Sequence, residues 1–284
     1  MSLFSMGAKM IKLRTMTPHD LDDCVALTQE VKWPHRLADW QLMLQLGEGV
    51  VAEQQGRVVG STLFWRWGPE RASLGVIIVA EQLRGQGIGK ALLQHTLQQL
   101  EGWQLHLHAT AAGAPLYRQA GFVATGDVIQ YQTPALTSPP PGSGLVQMAR
   151  QSDLPALAQL DWQANGFQRL PLLQQLFQNG TSITLLRQQM APLGFAVTRR
   201  FGHGYVIGPV IAPDRQMAQQ LIIEAMQPLA GAFVRIDSRR EAGLGSWLQT
   251  LGLQPVDNPL RMVRGSEWQP QGMTAWSLMS QAMG

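Results

Sequence analysis

The stretch "VIIVAEQLRGQGIGKALLQHTLQQL", Val76 to Leu100, decides how the rest of the chain is read. Its β-branched opening lacks polar alternation and reads as a buried strand, while Ala91 to Leu100 are good helix formers with an apolar side. Between them stand Gly85, Gly87 and Gly89, with Arg84 in front. Glycines leave peptide N–H groups unshielded, and the helix that starts here brings its positive dipole end to the same place. Such a turn suits a phosphate or pyrophosphate, with Arg84 as a charged contact at the rim. The same composition also describes a plain tight turn from strand to helix. Two phosphate motifs are excluded. The Walker loop needs Gly and Ser/Thr where Arg84 and Ala91 stand, and the dinucleotide fingerprint counted from Gly85 needs Gly where Lys90 stands.

Working outward, the first half alternates elements. A strand at Lys9 to Arg14 precedes a helix from Pro18 to Val31 and a Trp-rich segment with a second helix. "GVVAEQQGRVVGSTLFWRW" reads as a hairpin turning at Gln55-Gly56. After the opening unit come the strand "WQLHLHAT", the short helix of "GAPLYRQAGF" ended by Gly121, and the strand "VATGDVIQYQ". This order predicts an α/β domain, a mixed and mostly antiparallel twisted sheet flanked by helices. "YQTPALTSPPPGSGL", Tyr131 to Leu145, carries four prolines and two glycines and reads as an exposed linker. The halves on either side resemble each other: Asp20 and Asp153 each open an amphipathic helix, and "LYRQAGF" has a counterpart in "WLQTLGL". The expected division is residues 1–135, a linker at 136–144, and residues 145–284.

Composition bounds the function. With 45% apolar and 14% charged residues the chain is globular, and a net charge of +3 without long basic runs gives no nucleic-acid surface. A single cysteine, Cys24, excludes an internal disulfide and fits a reducing cytoplasm. "MSLFSMGAKMIKL" has too short an apolar region for a signal peptide, and no stretch of ~18 apolar residues could span a bilayer. The expectation is a cytoplasmic protein, monomer or homodimer, without membrane, nucleic-acid or metal partners.

"QLRGQGIGKALL" resembles the acetyl-CoA loop of the GCN5-related N-acetyltransferases (GNAT), whose pattern is Gln/Arg, two residues, Gly, one residue, Gly/Ala, then a helix. Arg84, Gly87 and Gly89 fill the fixed places, and "APLYRQAGF" resembles the family's other recurring segment. The likeness covers about Met10 to Gln132 and implies acetyl transfer from acetyl-CoA to an amine by direct attack. By that resemblance, Ile77, Ile78 and Val79 lie along the pantetheine arm, and Arg84, Gly85, Gln86, Gly87, Ile88, Gly89 and Lys90 hold the pyrophosphate. Tyr117 takes the family's proton-donor place, although a half-buried structural Tyr fits the position too. Thr110 stands where the family often has a pantetheine-binding Asn. No carboxylate lies on "SLGVIIV", so the base stays open among His106, His108, Glu53, Glu81 and solvent. "KWPHRLADW" and "FWRW" offer Trp33, His35, Arg36, Asp39, Trp40, Trp65 and Trp67, and with His108 they compose either an acceptor pocket or ordinary core.

In the second half the corresponding turn, Pro213-Asp214-Arg215-Gln216-Met217, has no glycine, and Leu248 stands in the place of Tyr117. This predicts a degenerate copy that keeps the fold, has lost the cofactor and completes or covers the cleft. Arg235, Asp237, Arg239 and Arg240 in "VRIDSRR" read as a solvated strand end. The acceptor expected is a small-molecule primary amine. The alternatives are a CoA-binding regulatory module without turnover, or transfer to a protein or peptide amine.

Overall fold

The computed structural model describes residues 2–6 and 9–284. The first half runs β1 (Ser2–Met6), β2 (Lys9–Thr15), α1 (Leu21–Glu30), α2 (Leu37–Leu46), β3 (Glu48–Gln54), β4 (Arg57–Arg66) and β5 (Arg71–Val79). It continues with α3 (Ile88–Gln99), β6 (Gln104–Ala109), α4 (Ala114–Gln119) and β7 (Val123–Thr133). The second half repeats the order: β8 (Val146–Met148), α5 (Leu154–Asn165), α6 (Leu170–Gln178), β9 (Ser182–Gln188), β10 (Ala191–Phe201) and β11 (Gly204–Ala212). Then follow α7 (Arg215–Met226), β12 (Val234–Arg239), α8 (Gly245–Thr250), β13 (Gln254–Asp257), β14 (Leu260–Arg264) and β15 (Thr274–Ser277). No described helix is long and apolar enough to cross a membrane.

Local chemistry explains most boundaries. Gln55 and Gly56 both take positive φ, the conformation that a two-residue hairpin turn requires between β3 and β4. The paired aspartates reach back three residues: Asp20 accepts from the Thr17 N–H and Asp153 from the Arg150 N–H, each at 2.7 Å. Both are also held by an arginine, Arg14 and Arg187 respectively.

All strands join one sheet of order β1-β2-β3-β4-β5-β6-β14-β7-β12-β11-β10-β9-β8, with β13 on β7 and β15 on β11. The halves exchange strands in it. β14, from the second half, lies between β6 and β7 of the first, with Met262 opposite Leu107 and Ala124. β7 in turn crosses over, and its residues Val128 to Thr133 pair with Arg239 to Val234 of β12. Three apolar clusters follow: one under α3, one under α7, and a central one drawing on α1, α2, α5, α6 and residues 273–283. Trp65, whose indole donates to the Met43 carbonyl at 2.9 Å, is fully buried in that central cluster. The Pro-rich segment is less detached than its composition implies. Leu136 is buried and bonds through its backbone to Ala232 and Gly231 before an exposed stretch begins.

Parallel pairing of β5 with β6 stops at Ser73, and that of β11 with β12 stops at Val206. In the second half β15 fills the resulting gap, pairing with β11 from Val210 to Ala212. In the first half β5 diverges from β6 beyond Ser73, and the segment 278–284 runs across the lower part of the opening. There a Cβ on Gly75 would stand 2.7 Å from Ala282 Cα, and Ser73 Oγ donates to the Met283 carbonyl at 3.3 Å.

Because each half lacks its own penultimate strand without the other, the two should unfold together. Urea melts followed by circular dichroism and by tryptophan fluorescence are expected to coincide in one transition. Met262→Ala should lower its free energy by about 2–5 kcal/mol; two separated transitions would show that the exchange is dispensable.

Candidate active site

β5 carries a bulge: Ser61 pairs with Ile78 and Leu63 with Gly75, so Val76 and Ile77 face Thr62 alone. Val76 sits at φ 48°, a conformation that a β-branched residue adopts at a cost of roughly 1–3 kcal/mol, and its carbonyl accepts from Ser61 Oγ at 3.2 Å. The bulge re-aims the end of the strand. Ile77, Ile78 and Val79 thereby line a groove of about 770 Å³ that continues along Arg84, Gly85, Gly87, Ile88, Gly89 and Lys90. Gln86 lies in the same turn and does not line it.

The turn is built from left-handed glycines, Gly85 at φ 75° and Gly87 at φ 81°, the second of which caps α3. The first N–H of this helix to reach a carbonyl is that of Ala91, at Gly87 O, 2.9 Å. Among the described residues the N–H groups of Gly85 to Lys90 have no backbone acceptor, so the helix end keeps its positive potential in the groove. A Cβ on Gly89 would stand 3.6 Å from Val79 Cγ2, inside the same groove. Thr110 and Tyr117 line its other end. Thr110 Oγ1 accepts from the Gly113 N–H at 3.2 Å, which fixes the start of α4. Tyr117 is 8% exposed, edge-on to Phe122, and burial pushes its phenol pKa up, so the group stays protonated at neutral pH.

Trp33 and Thr110 also line an adjoining cavity of about 250 Å³, where the halves meet. The first half supplies His35, Val76 and His108, and the second supplies Arg199, Phe201, Arg235 and Asp237. The segment Met279 to Met283 forms one wall. His108 Nδ1 lies 2.9 Å from the Gln281 carbonyl, which makes Nδ1 the protonated nitrogen; Nε2 is buried without a partner. His35 stands edge-on to Phe201 at 5.1 Å.

Several sequence expectations are corrected here. Trp65 and Trp67 belong to the core; the Trp67 indole donates to Ser73 Oγ at 2.8 Å. Arg36 does not line the cavity: its guanidinium is tied to Asp39 and to the Arg200 carbonyl. Trp40 is buried with an exposure of 0%, and Asp39 lines the cavity edge. Among the candidate bases, Glu53 pairs with Arg14 on β3, and Glu81 lies exposed outside both spaces. His106 faces a different cavity of about 320 Å³, beside Arg239. "VRIDSRR" is not a solvated strand end, since Arg235, Asp237 and Ser238 are buried once β12 lies between β7 and β11. Arg199, Phe201 and the Met279–Met283 wall carried no signal in the sequence.

The second half offers no comparable groove end. The Asp214 side chain accepts from the Met217 N–H at 2.8 Å, so a carboxylate occupies the helix end that the first half leaves bare. Leu248 is fully buried in the core, and the Trp276 indole donates to the Ala212 carbonyl where β15 closes the splay. Among the described residues, no group of three or more His, Cys, Asp or Glu is placed to hold a metal ion.

Comparison with known proteins agrees with this geometry. A profile of the acetyltransferase (GNAT) domain matches residues 45–124, and a second profile of the same description matches residues 157–275. An uncharacterized N-acetyltransferase of Bacillus subtilis, YitH, is 29% identical over 232 residues, 80% of either chain. A crystal structure from Pyrococcus horikoshii, assigned as an acetyltransferase, superposes with a TM-score of 0.83 at 19% identity, covering 100% of this chain and 98% of that one. A tandem GNAT protein from the clavulanic acid biosynthesis pathway gives 0.64 at 13% identity over 92% and 99%. The chain belongs to the GNAT acetyltransferase family, with two such domains in tandem.

Burial lowers the pKa of His35 and of His108 to about 4, and that of His106 well below its ordinary value. The folded pKa values are depressed, so this stability is present above pH ~6.5 and lost as pH falls toward 4, where the unfolded chain binds protons the fold refuses. At pH 5 each ring costs up to about 2 kcal/mol. The melting temperature should drop by several degrees between pH 7 and pH 5; a flat profile would mean the rings protonate in place.

Proposed function

We propose that this chain transfers the acetyl group of acetyl-CoA to the primary amine of a small molecule, and that the first half alone holds the acetyl donor. The observation that carries this reading is the meeting of two spaces at Trp33 and Thr110. One is a groove ending in bare helix N–H groups, and the other a cavity enclosed by both halves. The residues fit the donor. The N–H groups from Gly85 to Lys90 suit the diphosphate, with Arg84 and Lys90 beside them, and the groove along Ile77 to Val79 suits the pantetheine arm. The boundary of the catalytic unit is residues 1–135, completed by β14 and by the cavity wall of the second half.

The acceptor amine, in its free-base form within the cavity, attacks the thioester carbonyl: a C–N bond forms and the C–S bond breaks. Tyr117, neutral because burial raises its pKa, gives its phenolic proton to the departing sulfur and recovers one through solvent as the amide nitrogen loses its own. The peptide N–H groups exposed by the Val76 bulge serve as donors to the developing oxyanion. His108 Nε2, an unpartnered acceptor in the cavity, suits a hydrogen bond from the amine. A cavity of about 250 Å³ closed by the second half favours a small acceptor over a protein terminus.

Calorimetric titration should find one acetyl-CoA site per chain, and two sites of similar affinity would overturn the reading of the second half. Gly87→Val, which puts a β-branched residue at a positive φ, should weaken that binding at least ~10-fold. Tyr117→Phe should leave acetyl-CoA binding unchanged and cut kcat at least ~10-fold at neutral pH, as loss of a general acid does. Undiminished turnover across a set of good acceptors would remove Tyr117 from the chemistry.

A further inference from the structure

We infer that the acceptor carries a carboxylate beside its amine, and that Arg199 of the second half receives it. The inference rests on the acetyl-transfer reading for the identity of the site, and on the charges of the cavity for everything else.

Arg199 is 7% exposed on β10, at the wall of the cavity that the halves share. A buried guanidinium is retained at high cost unless an anion faces it. Four arginines of low exposure have their anion: Arg169 has Asp161, Arg187 has Asp153, Arg235 has Asp237, and Arg261 has Glu241 and Glu267. Arg239 is also without an ion pair among the described residues, but it faces the other cavity beside His106 and donates to Asn165 Oδ1 at 3.0 Å. Arg199 makes no ion pair among the described residues. One nitrogen donates to the Met279 carbonyl at 3.1 Å, the plane lies 5.0 Å from the centre of the Phe201 ring, and Nε is buried without any partner.

The neighbouring acids are not spare. Asp237 takes a two-pronged contact from Arg235, Nε at 3.0 Å and Nη2 at 2.8 Å. Asp39 accepts from Arg36 through Nε at 3.0 Å and Nη2 at 2.8 Å, and from the Arg36 backbone at 2.9 Å. The rings of His35 and His108 stay neutral there, as burial requires. Lys32 and Asp257, both exposed, stand opposite in sign at the mouth. Each acid that lines the interior is therefore already bound to an arginine, Asp237 to Arg235 within the cavity and Asp39 to Arg36 outside it, and Arg199 is the lining cation left without a bound anion. An amino acid ready to react, with a neutral amine and an ionised carboxylate, brings the anion that this guanidinium lacks. A guanidinium edge with a free Nε–H also matches the planar geometry of a carboxylate. Phe201, Met283, Leu42 and Trp33 leave apolar surface for a medium-sized side chain.

The test uses matched pairs that differ only by the carboxylate: leucine against isoamylamine, and phenylalanine against phenethylamine. Thiol release from acetyl-CoA gives kcat/KM, and calorimetry gives binding of N-acetylleucine and of N-isoamylacetamide to the CoA-saturated protein. The carboxylated member of each pair should win at least ~10-fold, the scale of one charge-assisted contact. Arg199→Gln should shrink that ratio to within about 3-fold while the Kd for acetyl-CoA stays unchanged, and Arg199→Lys should keep part of it. If Arg199→Gln does not fold, the matched pairs on the unaltered protein decide. Equal or better turnover of the decarboxylated amines would overturn the carboxylate inference and leave acetyl transfer standing. Arg199-dependent binding of N-acetylleucine without thiol release from any pair would do the reverse. Neither turnover nor binding would overturn both.

Discussion

The constraint on which the rest depends is the exchange of β7 and β14 between the halves. A GNAT-like sheet needs a strand beside β6, and here that strand is Leu260 to Arg264, supplied from the far end of the chain. β7 pays this back by crossing to β12. Backbone pairing is directional and leaves no slack, so these two ladders hold the halves in a fixed relation along their whole length. A cavity lined from both sides can then keep a defined shape without a hinge.

Within that frame, the two copies of the fold diverge through what fills the splay and what caps the helix. In the first half, β5 bends away at the Val76 bulge, and the glycine turn leaves N–H groups bare. In the second, Asp214 puts a carboxylate on the helix end, β15 occupies the splay, and Leu248 stands where a phenol would be. Each of these changes opposes an anionic, thioester-bearing ligand by a separate route: charge, volume and loss of an acid. The second half has instead turned one face of its strands β10 and β12 toward the partner's cavity. The repeat survives as architecture while the groups at its turn, its splay and the Tyr117 position have changed.

How much of this the sequence disclosed follows from range. The turn from Arg84 to Lys90 was legible because its glycines, helix start and missing side chains all lie within seven residues and act locally. So were the hairpin at Gln55-Gly56 and the carboxylates that reach back three residues. The bulge was not, since Val76 is a good strand former and takes positive φ only because its tertiary neighbours hold it there. "VRIDSRR" misled for the same reason. Four charges within seven residues look solvated until β7, about a hundred residues earlier in the chain, is known to lie beside them. Trp65 and Trp67 misled in the opposite sense, because an indole N–H that finds a carbonyl or a hydroxyl can be buried completely.

The cavity shows why long-range placement matters for chemistry rather than for shape alone. Arg199, Arg235 and Asp237 come from strands whose first-half counterparts lie on the other side of the pseudo-symmetric sheet. They reach the shared cavity only because the strand exchange presents one half's sheet to the other half's splay. The half with the glycine turn supplies the groove, and the charged wall of the cavity comes from the other half. On the function proposed above, donor and acceptor recognition are divided between two copies of one fold. The donor side is conservative, since bare peptide groups bind any diphosphate. On that reading the acceptor side is the freer to vary, since its charges are carried by side chains of the second half rather than by the bare peptide groups of the turn.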